Sequence, residues 1–211
     1  MGQGKTINAM AWVDLETTGI PEPNPETLSM DFSRVHILEV AVLITDLDGD
    51  PLAGHHGVVR MTREAADVLK TNDYVRQMHT DNGLIRDSIK SEDAMTLEEL
   101  DEEISKTFQE GTSFEPGEFI IAGSGVSRFD HPLIDIRMPK LARWLHYAEI
   151  DIGSLRRSST MFNHGQPVVN PVPESSRDGV KTHRAWDDVQ AHLKEGLRYR
   201  DFFRKAVPLV G

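Results

Sequence analysis

Two acidic residues near the start of the chain are spaced for shared chemistry. Asp14 and Glu16 stand one residue apart within the largely apolar residues 11–19. Residues two apart in a β-strand point to the same face, so the two carboxylates would project together. Paired acids repel each other unless a cation lies between them, and Mg²⁺ or Mn²⁺ prefers such oxygen ligands. The stretch therefore predicts a metal-binding strand; an edge strand with two solvated acids is the alternative.

Further along the chain, three other positions could contribute to such a site. Asp130 follows a short apolar segment, residues 117–123, and a turn of small residues, where an aspartate could equally cap a helix. Near the C-terminus, His183 precedes a predicted helix, and Asp187 and Asp188 lie just inside it. The two aspartates cannot both face one site, and helical spacing alone does not choose between them.

Composition limits the class of protein. The 211 residues are 38% hydrophobic and 27% charged, which suits one globular domain over residues 1–211 with a core at about 8–206. No apolar run approaches the ~20 residues of a membrane-spanning helix, and no secretory leader is evident. The chain has no cysteine, so we expect neither disulfides nor thiolate metal sites, and a cytoplasmic location. A net charge of −11 argues against a protein that coats long nucleic acid, but not against a nuclease.

The elements that must position these residues form an α/β pattern. Residues 35–46 are a long β-prone run, 47–50 a hairpin turn and 57–61 a returning strand. With the strand at 11–19 they predict three mostly antiparallel strands in a mixed central sheet flanked by helices.

The remainder of the chain reads mainly as helices with two more short strands. Apolar residues recur at helical spacing over 97–108, where Thr96 and Glu99 form a capping-box pattern. Residues 21–33 and 161–178 are rich in turn-forming residues and read as surface loops. The other predicted elements are helices within 63–110, at 132–134, at 141–147 and at 184–206, and strands at 117–123 and 150–152.

The acids and the histidine together resemble the motifs of DEDDh-type 3′→5′ exonucleases in the ribonuclease H-like superfamily, and most closely those of the oligoribonucleases. The Asp-x-Glu strand motif of that family is matched by Asp14 and Glu16, and its second aspartate by Asp130. Its third motif, histidine followed after four residues by aspartate, is matched by His183 and Asp188. Further similarity at residues 78–84, 145–151 and 183–188 extends the resemblance over roughly residues 11–204.

The resemblance implies a ribonuclease H-like exonuclease fold and a metal-dependent hydrolase. Its four acids, Asp14, Glu16, Asp130 and Asp188, would hold two divalent cations, Mg²⁺ or Mn²⁺, and His183 would be the general base. This agrees with the chemistry of phosphodiester hydrolysis, in which two ions stabilise charge and activate water. Histidine titrates near neutral pH and suits the role of base.

Substrate contacts are also implied by the resemblance. Thr17 would meet the 3′ end, Ile20 would wedge beside the terminal bases, Tyr74 would stack, and His79 would lie near the scissile phosphate. Core packing is the alternative for Ile20 and Tyr74. The complete set of implied substrate-binding residues is Thr17, Ile20, Tyr74, His79, Ser124, His146 and Tyr147.

Two departures from the family pattern concern substrate length. Ala148 replaces an arginine and Gly153 a serine that help to cap the 5′ phosphate of a dinucleotide in that family. We therefore expect short single-stranded RNA or DNA substrates that can exceed two nucleotides. His146 and Tyr147 belong to a contact between subunits in the relatives, which implies a homodimer.

Two other functions remain open at this stage. One is a proofreading-type DNA exonuclease that uses the same metal site with another partner. The other is a catalytically silent binder of single-stranded nucleic acid, although retention of all five clustered residues disfavours it.

Overall fold

A computed structural model describes residues 6–158 and 182–206 of the chain. Its strands are β1 (Ala9–Thr17), β2 (Glu22–Pro23), β3 (Met30–Asp31), β4 (Ile37–Thr45), β5 (Pro51–Val58), β6 (Phe119–Gly123) and β7 (Leu145–Asp151). Five of them form one sheet in the order β5-β4-β1-β6-β7, and β2 and β3 form a separate small hairpin. β1, β4 and β5 pair antiparallel, whereas β6 and β7 add parallel pairs. The predicted mixed sheet with three antiparallel strands is confirmed.

Eight helices are described around this sheet. They are α1 (Arg63–Leu69), α2 (Asp73–Asp81), α3 (Leu84–Lys90), α4 (Leu97–Gly111), α5 (Asp130–Arg137), α6 (Pro139–Ala142), α7 (Ile152–Ser158) and α8 (Ala185–Ala206). α4 begins at the predicted capping box, in which Thr96 accepts from the Glu99 amide and the Glu99 carboxylate accepts from the Thr96 amide. Within the described ranges, no helix is long and apolar enough to cross a membrane.

The sheet is covered on both faces, which explains its apolar composition. One face packs against α4, α5 and α6 through a core that includes Val13, Ile104 and Leu133. The other packs against α7 and α8 through a smaller core that includes Trp12 and Val189. Every residue of β4 is buried, and all but Glu39 and Thr45 are apolar, so this strand does not alternate between apolar and polar residues.

Several predicted element boundaries are wrong. The strand after the hairpin turn begins at Pro51 and ends at Val58, where the sequence suggested 57–61. The helix predicted at 141–147 ends at Ala142, because Leu145–Asp151 pairs with β6 and becomes β7. Ile152 opens a helix instead of ending the strand predicted at 150–152. The loop predicted at 161–178 lies outside the described residues.

Candidate active site

Asp14 and Glu16 occupy the face of β1 that is covered by α8. They follow Trp12 at two-residue intervals, and Trp12 belongs to the core beneath α8. The β1–β4 register shifts between Glu16 and Thr17, a strand irregularity of the kind that often lies beside active sites. The carboxylates are therefore carried by a central strand that is paired on both sides along part of its length.

Asp130 reaches the same site from the turn that follows β6. The parallel pairs between β1 and β6 run from Ala9 to Trp12, and beyond them the amide of Leu15 donates to Asp130 Oδ1 at 3.1 Å. The N-cap of α5 is Phe129, so the capping role considered for Asp130 is not the one it has. A main-chain hydrogen bond instead ties this carboxylate to the strand that carries Asp14.

The beginning of α8 brings His183 and Asp188 to Glu16. One carboxylate oxygen of Glu16, one of Asp188 and one ring nitrogen of His183 all lie within 4.8 Å of one another. Asp187 is exposed and accepts a 2.8 Å hydrogen bond from Thr182 Oγ1. The structure thus distinguishes the two adjacent aspartates that helical spacing left equivalent.

The backbone of His183 has an unusual conformation. Its φ of 47° lies in the left-handed region, which is uncommon for residues other than glycine. Asn82 Nδ2 donates to the His183 carbonyl and helps to hold the peptide there. Non-glycine residues in this region cluster at functional sites, where the surrounding structure maintains them.

The carboxylates raise one another's pKa values in the absence of a cation. Burial, followed by repulsion from Asp188, Glu39 and Asp130, raises the pKa of Glu16 from 4.5 to about 8. Burial raises the pKa of Asp130 to about 7, and burial with the Asp130 and Glu16 charges raises that of Asp14. A bound divalent cation would remove this repulsion, and carboxylate oxygens are the ligands that Mg²⁺ and Mn²⁺ prefer. The side chains present therefore fit a metal centre.

A buried ion pair, missed in the sequence, anchors the helix that carries Asp188. Glu39 is only 1% exposed and lies opposite Glu16 in the β1–β4 ladder. Its carboxylate accepts from Arg184 and from the amide of Ala185, the first residue of α8. Arg184 also bonds Asp87 at 3.1 Å. A single acid inside an otherwise apolar strand was the sequence signal that could have identified Glu39.

His79 lies in the interior of the protein, beside Glu16 and the end of β1. Its ring is fully buried, with Nε2 3.0 Å from the carbonyl oxygen of Thr17 and 3.8 Å from Glu16 Oε2. A ring closed off from solvent cannot touch a phosphate without a rearrangement of the structure. Its position beside Glu16 is compatible with the prediction that His79 lies near the scissile phosphate, which stays a prediction, and its Nε2 also contacts the main chain at the end of β1.

A cleft of about 190 Å³ opens beside the acids. Its lining includes Asp14 and Asp130 together with three of the predicted substrate-binding residues, Thr17, Ile20 and Ser124. The Thr17 hydroxyl donates to the carbonyl oxygen of Gly19, which fixes the turn after β1. The structure thus brings these three residues to the wall of the cleft that holds the acids.

Three of the predicted substrate-binding residues, Ile20, Tyr74 and Tyr147, are large hydrophobic residues exposed to solvent. Ile20 and Tyr74 are 72% and 75% exposed, so the alternative of core packing is wrong for both. His146 and Tyr147 lie on β7, the edge strand of the sheet, with their rings 4.3 Å apart and Tyr147 84% exposed. They are not among the residues that line the cleft beside Asp14.

Comparison of the sequence with those of known proteins finds relatives over nearly the whole chain. The chain is 30% identical over 208 residues to mitochondrial oligoribonuclease of Bos taurus, covering 97% of this chain and 78% of that protein. It is also 30% identical over 202 residues to oligoribonuclease of Haemophilus influenzae, covering 93% of this chain and 95% of the relative. No family model matches the chain.

Solved structures share the fold at lower identity. Exonuclease I of Methylocaldum szegediense superposes on 92% of the chain with a TM-score of 0.60 and 17% identity. The E. coli exonuclease I complex with a dA16 oligonucleotide gives a TM-score of 0.60 at 14% identity. The chain spans about 40% of the length of these exonuclease I proteins.

Fold, relatives and convergent acids define a hydrolase of the 3′→5′ exonuclease class with a ribonuclease H-like fold. Near-complete coverage of the bacterial relative narrows this class further. The chain belongs to the oligoribonuclease family.

Proposed function

We propose that the protein removes nucleotides one at a time from the 3′ end of short single-stranded oligonucleotides, in a reaction that depends on two divalent cations. The observation that carries this proposal is the meeting of acids from three distant segments, Asp14 and Glu16 on β1, Asp130 on α5 and Asp188 on α8. Such a costly cluster of buried charge is expected where cations are bound.

Each residue has a role in this proposal. Asp14, Glu16, Asp130 and Asp188 hold the cations, and His183 accepts the proton of the attacking water. The cations, when bound, neutralise charge on the transferring phosphoryl group and lower the pKa of that water. Attack at phosphorus breaks the bond to the 3′ oxygen of the preceding nucleotide and releases a nucleoside 5′-monophosphate.

The exonuclease proposal is tested with 5′-labelled RNA and DNA oligonucleotides of graded length, incubated with Mg²⁺, Mn²⁺ or chelator. We expect ladders that shorten from the 3′ end with either cation and stop with chelator. Asp188→Asn should abolish them, whereas the matched control Asp187→Asn should not, because Asp187 faces solvent. Binding without cleavage in every condition would favour a silent binder. Cleavage of DNA alone would favour a proofreading-type enzyme.

We propose that substrates are not restricted to dinucleotides. At position 148 an alanine offers no charge to a terminal phosphate, and Gly153 offers no hydroxyl. A Cβ at residue 153 would lie 3.0 Å from Oγ of Ser124, which lines the cleft, and 3.1 Å from Asp151 Oδ1, so a side chain here would crowd both groups. Comparison of kcat/KM for oligonucleotides of two to six residues tests this proposal.

A homodimer and a cytoplasmic location complete the proposal. The His146–Tyr147 pair on an edge strand, in which Tyr147 is exposed, supports pairing between subunits, because edge strands and exposed aromatic residues favour association. Light scattering at micromolar concentration would reject the dimer if only a monomer appeared. Fractionation of cells would test the location, since the relatives include both bacterial and mitochondrial proteins.

A further inference from the structure

Helix α8 lies on β1 in a regular register over three successive turns. Asp188 meets Glu16, His192 meets Asp14 with Nδ1 3.8 Å from Oδ1, and a Cβ built at Gly196 would overlap the Trp12 ring. Four helical residues advance about 6 Å and two strand residues about 6.6 Å, so the two periods nearly coincide. The register therefore aligns one face of α8 with the alternate residues of β1 that carry the site.

Gly196 permits this close approach. The indole of Trp12 fills the space that a side chain at 196 would need, and Ile152 lies close on the same side. Because α8 can approach β1 closely at this turn, the next turn toward its N-terminus brings His192 against Asp14. Both side chains are mostly enclosed, with 15% of His192 and 17% of Asp14 exposed.

We propose that His192 is a positioning residue of the metal site, whose Nδ1–H group orients the Asp14 carboxylate for cation binding. This inference rests on the proposed function, in which Asp14 is a ligand. Carboxylates that bind metals are commonly held by hydrogen bonds from a surrounding layer of residues. His192 is the histidine that approaches Asp14 in the described part of the chain, whereas His183 and His79 lie beside Glu16.

We expect the 3.8 Å distance between His192 Nδ1 and Asp14 Oδ1 to shorten when a cation binds at the site. Hydrogen bonds at catalytic sites are often long in the unbound enzyme and shorten in the complex. A neutral imidazole can carry its proton on Nδ1 and thus donate to a carboxylate without adding a charge. Two substitutions of His192 can show which ring nitrogen acts as the donor. An asparagine at this position places its amide nitrogen near the Nδ1 position of histidine, whereas a glutamine places it near the Nε2 position.

The test is a Mn²⁺ titration of the full chain by calorimetry, with His192→Ala, His192→Asn and His192→Gln. We expect His192→Ala and His192→Gln to raise the dissociation constant for Mn²⁺ roughly 10- to 100-fold. His192→Asn should remain close to the wild type. Lys194→Ala, an exposed change on the same helix, is the control and should bind Mn²⁺ normally. In exonuclease assays kcat should fall in the Ala and Gln variants, while KM for the oligonucleotide changes little.

Several outcomes would overturn the positioning role. Wild-type affinity in His192→Ala would do so, as would equal losses in the Asn and Gln variants, which would indicate packing instead of a directed donor. Pulsed electron paramagnetic resonance on bound Mn²⁺ adds a check: loss of a nitrogen coupling in His192→Ala would make His192 a direct ligand and contradict the proposal. Circular dichroism confirms that the compared variants are folded.

Asp14→Asn separates this inference from the function on which it rests. If Asp14→Asn loses Mn²⁺ and His192→Ala does not, only the inference fails. If Asp14→Asn binds Mn²⁺ normally, the assignment of Asp14 as a ligand fails instead.

Discussion

Arg184 donates two hydrogen bonds to Oε1 of Glu39, one from Nε at 3.1 Å and one from Nη2 at 2.8 Å. Glu39 is the strand partner of Glu16, and Arg184 immediately follows His183. The ion pair therefore connects the strand beside the acids to the segment that carries the proposed base. Glu39 also accepts a hydrogen bond from the amide of Ala185, the first residue of α8.

Removal of the cationic partner should destabilise the protein. Arg184→Met leaves the almost fully enclosed Glu39 carboxylate without its guanidinium, and we expect the free energy of unfolding to fall by about 3 kcal/mol. Arg86→Met is the matched control because Arg86 also pairs with Asp87 but is 71% exposed, so its loss should cost less than about 1 kcal/mol. Urea denaturation measures both. Equal, small changes would contradict a structural role for the pair.

Metal-free stability should fall as pH rises through neutrality. The pKa of Glu16 is about 8 in the folded chain, against 4.5 ordinarily, and that of Asp130 is about 7 against 3.8. Between the ordinary and raised values the folded state binds more protons than the unfolded chain, so rising pH favours unfolding over this window. With chelator present, the melting temperature should fall between about pH 5 and pH 8. In a parallel series with Mg²⁺ instead of chelator, this fall should be smaller. A flat profile with chelator would contradict it.

Asp188→Asn should have opposite effects on stability and function. The Asp188 charge raises the pKa of both Asp14 and Glu16, after burial and other causes, so its removal relieves repulsion. We expect the melting temperature of the metal-free variant to equal or exceed that of the wild type, while Mg²⁺ no longer raises it. Differential scanning calorimetry with and without Mg²⁺ checks this. A large loss of metal-free stability would show that Asp188 holds α8 in place by itself.

An arginine at position 148 together with a serine at position 153 should shift the substrate preference toward dinucleotides. Ala148→Arg with Gly153→Ser should raise kcat/KM for dinucleotides relative to longer oligonucleotides, because the added groups can bind a terminal phosphate. Ala148→Arg with Gly153→Ala adds the Cβ without the hydroxyl and separates crowding against Ser124 from hydrogen bonding. Competition assays with mixed lengths give the ratio. An unchanged ratio would show that these positions do not set length preference.

Gly196→Ala should destabilise the protein even though alanine favours helix. The new methyl would overlap Trp12, and overpacking of this kind costs about 1–3 kcal/mol. The helical preference of alanine returns only about 1 kcal/mol. Ala191→Gly, an exposed change on the same helix, measures that preference alone. Urea denaturation of both variants, and of Gly196→Ala combined with Trp12→Phe, decides whether the ring is the obstacle.

Local sequence patterns predicted much of this fold, because the stretches with a clear apolar pattern are also the helices and strands that pack against the core. The helix at 97–108 and the final helix had clear apolar stripes, and both formed close to their predicted bounds. Residues 141–147 were predicted as a helix, whereas Leu145–Asp151 forms a strand because it pairs with β6, a partner distant in sequence. Such pairing cannot be read from a single local stretch.

Motif spacing selected the acids that are proposed to bind the cations, whereas the contacts made by the residues that support them could not be predicted from the sequence. Nothing in the sequence around Glu39 or Asn82 indicates that each contacts the segment at 183–185, since those contacts cross more than 100 residues. The sequence likewise gives no indication of the contact that His192 makes. This residue becomes relevant only because the helical and strand periods match when α8 lies on β1.

The hydrogen bond from the Leu15 amide to Asp130 affects which substitutions at residue 15 can disturb the site. Its donor belongs to the main chain, so no replacement at residue 15 except proline can delete it. A change of the side chain at this position therefore leaves the donor of this hydrogen bond in place. An ester in place of that amide, introduced by chemical synthesis, would remove the donor while every side chain stays the same.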